Sequence, residues 1–124
     1  MATQEIKETN WEVFAQRFEE AHRGTLISLD VVYHDGHTES VARQLPLREF
    51  RFEKSDGCSD SIRIELGETP NRTVQHAIVE PIHLRIREDT GGTKLLLIDA
   101  ESGSVEMRFS SGRIGAILSD LNLA

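Results

Sequence analysis

The chain has 124 residues, of which 38% are hydrophobic and 28% charged, and its formal net charge is −7 at pH 7. This is the size and composition of one globular domain with a self-sufficient core. The negative charge is spread along the chain, which argues against nonspecific binding of DNA, RNA or anionic lipid, all of which require a basic footprint.

No apolar run approaches the roughly 20 residues of a membrane helix. The opening residues, MATQEIKE, lack a basic start and an apolar segment, so they do not read as a signal peptide. They are expected to be a disordered tail over residues 1–8, ahead of a single domain spanning 9–124. With one cysteine, Cys58, no internal disulfide can form, and a reducing cytoplasm is the default setting.

From Thr9 to Gly24, Trp11, Phe14, Phe18 and His22 recur at helical spacing, with Ala15 and Ala21 between them. The spacing predicts an amphipathic helix carrying three aromatics on one stripe. Thr9 as N-cap with Glu12 three residues on reads as a capping box. His22, Arg23 and Gly24 read as the closing turn, where a protonated His22 is favoured by the helix dipole. Nearly everything beyond Gly24 reads as strand and turn, so this helix is expected to cover a sheet.

Thr25 to Tyr33 alternates Ile27, Leu29, Val31 and Tyr33 against Ser28 and Asp30, the pattern of a half-buried strand. Asp35-Gly36 then predicts a two-residue hairpin turn. The returning strand, Thr38 to Arg43, is polar and weak, and Pro46 in Leu45-Pro46-Leu47 reads as a break. Arg48 to Lys54 places Phe50 and Phe52 on one face. The stretch 55–60 has turn composition, and Ser61 to Leu66 alternates cleanly on Ile62, Ile64 and Leu66. Residues 67–72 read as a longer loop.

Thr73 to Val79 is a further strand, and Glu80-Pro81 interrupts with a bend or bulge that turns the chain between sheets. Ile82, Leu84 and Ile86 then alternate inward against His83, Arg85 and Arg87. Leu95 to Ile98 is continuously apolar, the mark of a central strand covered on both faces, with the Trp11 helix on one of them. A hairpin at 101–103 leads into Val105, Met107 and Phe109. Ile114, Ile117, Leu118 and Leu121 return to helical spacing and predict a short C-terminal helix, which Gly112 and Gly115 weaken.

The fold class is therefore α+β: an N-terminal helix packed on a strongly bent antiparallel sheet or partly open barrel of about seven or eight strands, with a short C-terminal helix.

Several features in order carry a resemblance. They are the Trp11-x-x-Phe14-x-x-x-Phe18 helix ending at His22-Arg23-Gly24, the Leu45-Pro46-Leu47 step, His76-x-Ile78-x-x-Pro81 running into Ile82-x-Leu84, and Leu95-x-Leu97-Ile98 before a Ser102-Gly103 hairpin. Over Trp11 to Phe109 the chain resembles a family of small bacterial proteins known only as a domain of unknown function. The resemblance implies an α+β fold and a bacterial cytoplasmic setting; it lends no functional residues.

Candidate chemistry is sparse. In a two-residue hairpin, His34 and His37 would flank the turn on one face, close enough to share a metal with a third ligand such as Glu39 or Asp30. The plainer reading is a solvated turn. His76 shares a face with Val74 and Ile78, so it reads as a hydrogen-bonded core histidine before it reads as a general base. Cys58 lies between Asp56 and Asp60, whose charges oppose a reactive thiolate, and the spacing there fails a calcium loop. Serine-hydrolase, phosphate-loop and dinucleotide signatures are absent. Arginines alternating with glutamates on outward strand positions read as a charge-laced solvent face, with an anion-binding groove as the sharper alternative.

These residues predict a non-catalytic, cytoplasmic domain without catalytic, cofactor or metal residues beyond the weak candidates His34, His37 and His76. It would act through a homodimer or a protein partner, without nucleic acid or membrane. The alternative is a half-barrel that binds a small molecule or metal, as a plain binder or as an enzyme, between the Trp11 helix and the sheet, with His76 in its site.

Overall fold

A computed structural model describes residues 2–54, 60–88 and 94–109. A first strand, β1 (Ala2–Glu5), and a 3-10 turn (Glu8–Asn10) precede α1 (Trp11–His22). Then come β2 (Leu26–Tyr33), β3 (Thr38–Glu53), β4 (Ser61–Thr69), β5 (Arg72–Val79), β6 (Pro81–Glu88), β7 (Lys94–Ala100) and β8 (Gly103–Phe109). All pairings are antiparallel, in the order β1-β6-β7-β8-β2-β3-β4-β5. The sheet does not close.

Residues 2–8 are not the loose tail expected from their composition. Ala2 to Glu5 pair with Arg85 to Glu88, and Ile6 is buried at 1% exposure. The indole N–H of Trp11 donates to the Ile6 carbonyl at 2.8 Å, tying this edge to the helix. The polar run has no strand pattern of its own; the waiting edge of β6 imposes it.

The helix buries Trp11, Phe14, Ala15, Phe18 and His22, the face its spacing predicted. Full burial of one such phenylalanine is worth about 2 kcal/mol. Its N-terminus differs from expectation. Asn10 holds the N-cap position without a side-chain bond, so Thr9 and Glu12 form no capping box. The helix instead grows out of the preceding turn, whose Asn10 amide donates to the Lys7 carbonyl at 2.8 Å. It lies along β3, not across the apolar strand β7. That strand is central and buried on both faces, Leu95 at 1% and Leu96 at 0% exposure.

Two corners bend the sheet. β3 is one strand through Pro46, which pairs with Leu26, and it pivots at Gln44, φ 52°. Its first half joins β2 and its second half joins β4. The other corner is Glu80, φ 53°, between β5 and β6. A non-glycine residue in this region costs about 1 kcal/mol, so both need anchors. The Gln44 amide donates to Ser28 Oγ at 3.2 Å, and the Glu80 amide to the Asp60 carbonyl at 2.8 Å. Just past the second corner the register slips between Pro81 and His83. Ile82 is the extra residue of that bulge, so it turns outward, 54% exposed, where strict alternation had it facing inward.

Residues 67–72 are not a long loop: Thr69 pairs with Arg72 across a tight turn. The C-terminal helix, and Cys58 with its neighbours, lie outside the described residues.

Candidate functional site

A seam runs between the free edge of β5 and the β7–β8 hairpin. In it lies a cavity of about 180 Å³, walled by Val31 and Tyr33 of β2, His76 and Ile78 of β5, and Gly103 and Val105 of β8. His76 pairs with Ile64 of β4, so it shares the inner face with that buried residue. Burial of the imidazole pushes its pKa below the usual histidine value, and the charge of Glu39 opposes that shift in part.

Glu39 reaches this mouth through the turn before it. The Tyr33 carbonyl accepts the Gly36 amide at 2.9 Å, the Tyr33 amide donates to the His37 carbonyl at 2.8 Å, and the His37 amide donates to Asp35 Oδ1 at 2.8 Å. Val31 therefore pairs with Glu39 and Val32 with Thr38. A two-residue Asp35-Gly36 turn would have opposed Val32 and Glu39, one step off and on the other face. The Tyr33 hydroxyl donates to Glu39 Oε2 at 3.0 Å, and that bond, followed by the carboxylate's charge, raises the phenol's pKa.

The three weak candidates separate. His34 falls inside the turn, exposed, and does not oppose His37. His37 stacks on Tyr33, ring centroids 5.7 Å apart. His76 lines the seam, and it is absent from the lining of the groove between α1 and β3, which Glu12, Ala15, Glu19, Phe50 and Phe52 help to form. Among the described residues no group of three or more His, Cys, Asp or Glu is placed to hold a metal ion. His22 is a core residue, fully buried and stacked on Phe18 at 4.4 Å, with Phe109 edge-on at 5.2 Å. Its Nδ1 lies 3.2 Å from the Phe18 carbonyl, so it does not serve as an exposed charge at the helix end.

Several outward arginines are paired with carboxylates. Arg48 meets Glu65 at 3.6 Å, Arg51 meets Glu49 at 3.4 Å and Glu19 at 3.7 Å, Arg63 meets Glu53 at 3.5 Å, and Arg85 meets Asp99. His83 faces outward with them, its Nδ1 3.2 Å from Glu5 Oε2.

The direction of the His76 shift gives a pH prediction. Between the lowered native value and the ordinary one near 6.5, the unfolded chain binds more protons than the native one, so acid destabilises the fold. His76's contribution is complete above that ordinary value and is lost as the pH falls from there through the lowered native value. The urea midpoint should drop on going from about pH 7.5 to about pH 5.5, and drop less in His76→Gln. Equal slopes in the two proteins would show that His76 ionises alike in both states.

The described residues define the class: an α+β domain with one N-terminal helix packed on an eight-stranded antiparallel sheet that does not close. Residues 2–111 match the family described as "Family of unknown function (DUF5335)", and the chain belongs to that family. No curated protein and no solved structure matches it. No described helix is long and apolar enough to cross a membrane.

Proposed function

We propose that the domain is non-catalytic and works by association in a bacterial cytoplasm, as a homodimer joined at the β5–β6 corner. The observation that carries this reading is the pair Val79 and Ile82, 59% and 54% exposed on either side of Pro81. Two large apolar side chains on one stiff corner, at the end of an edge strand, are what a two-fold contact buries. The paired arginines support a reading without nucleic acid.

The test is light scattering coupled to size exclusion. The wild-type chain should elute as a dimer and Ile82→Arg as a monomer with an unchanged fold by circular dichroism. A wild-type monomer at about 100 μM would overturn the reading, since a useful homodimer forms well below that.

The seam favours a second reading, a small-molecule-binding half-barrel. Its support is the cleft around the half-buried His76, whose lining shares no residue with the groove under α1.

A further inference from the structure

The seam has the size, wall chemistry and charge to select one kind of ligand. Its volume is about 180 Å³. An apolar cavity of about 150 Å³ takes up a benzene molecule, so this one has room for a single ring or a short branched alkyl group. Val31, Ile78, Ala100 and Val105 supply apolar walls for such a body.

His76, Ser102 and Ser104 add polar groups to the lining, and Tyr33 brings a further set. Tyr33 presents its ring to the cavity, its hydroxyl is bonded to Glu39, and His37 stacks on the same ring. No lysine or arginine is among the residues lining the cavity. The nearby Glu39 carboxylate, in a chain of net charge −7, repels an anion at this mouth and attracts a cation. An ammonium group can accept both the carboxylate and the face of Tyr33.

We propose that the cavity between β5 and the β7–β8 hairpin binds a small primary amine whose apolar body is one ring or a short branched chain. The body fills the space between Ile78 and Val105, and the ammonium group donates to Glu39 beside the Tyr33 ring. This deepens the small-molecule reading and is independent of association at Ile82.

The experiment is a 1H–15N NMR titration of the full chain at neutral pH with benzylamine, benzyl alcohol and benzoate, up to about 10 mM of each. Benzylamine should shift the amides of His76 to Val79 and of Gly103 to Val105 in a saturable way, with a dissociation constant of about 1 mM, ordinary for so few atoms. Benzoate should bind at least about fivefold more weakly. Glu39→Gln keeps a side chain that can accept the Tyr33 hydroxyl; it should weaken benzylamine about fivefold and leave benzyl alcohol unchanged.

Benzoate binding as tightly as benzylamine would overturn the amine while leaving a small-molecule site in place. So would an unchanged benzylamine affinity in Glu39→Gln. No saturable shift from any probe, or shifts confined to the groove between α1 and β3, would overturn both the amine and the site. Repeating the titration on Ile82→Arg should give the same affinities, which separates the result from the state of association.

Discussion

Phe18→Ala should lower the stability of the fold by about 4 kcal/mol, the largest effect of any single truncation considered for this chain. Phe18 is fully buried and touches four rings on three elements. It stacks on Phe14 at 5.7 Å and on His22 at 4.4 Å within α1, meets Phe50 of β3 at 5.0 Å, and meets Phe109 of β8 edge-on at 5.4 Å. Phe50 and Phe109 are each held by a strand ladder, so neither can move far to fill the space a lost phenyl ring leaves. The loss is therefore the full transfer term plus a cavity, and the aromatic contacts add to it. For a domain of this length the midpoint of thermal unfolding should fall by about 15 °C.

Val13→Ala is the matched control on the same helix. Val13 is 42% exposed, and its truncation should cost less than about 0.5 kcal/mol. Denaturant unfolding of the two variants beside the wild type makes the comparison. If they lie within about 1 kcal/mol of each other, α1 does not derive its place from its aromatic stripe.

That stripe was legible in the sequence because a helix reports its buried face in a local period. Trp11, Phe14, Phe18 and His22 need no information from the rest of the chain to be seen as one side. The strands were legible for the same reason, in their alternation. What could not be read was set by partners far away in sequence. Ala2 to Glu5 have no pattern and become a strand only because β6 offers an edge. Pro46 reads as a break, yet β3 passes through it, since the pivot is Gln44 and an amide anchor from Ser28 holds that residue in its positive φ.

The candidate site was the least legible part, because it depends on register. A turn one residue longer than Asp35-Gly36 suggests moves Glu39 from the outer face to the mouth of the seam. Without that step, Tyr33, Glu39 and His76 are three unrelated polar residues. A bulge does the same at the second corner, where it turns Ile82 from a core position into an exposed one. A one-residue slip leaves no trace in composition, and the bulge leaves only the neighbouring Pro81 as a hint.

Gly103→Ala should destabilise by about 3 kcal/mol, although it adds one methyl group at a turn. Gly103 begins β8 and sits between two partners, Ala100 of β7 and Tyr33 of β2. Its φ is 147°, and a Cβ placed there would lie 2.4 Å from the Val32 carbonyl oxygen, 3.2 Å from Tyr33 Cα and 3.3 Å from the Val32 carbonyl carbon. All three are backbone atoms of a paired strand, so no side chain can rotate away. Relief requires β2 and β8 to part where they border the seam. Gly36→Ala separates this contact from the cost of positive φ alone. Gly36 has φ 89°, and an added methyl group would meet nothing within 4 Å, so its alanine variant should lose only about 1 kcal/mol. Equal losses in the two variants, measured by urea unfolding, would refute the close approach of β2 and β8. A larger loss for Gly103→Ala, with weaker benzylamine shifts at Val105, would tie the shape of the cavity to the absence of a side chain at this position.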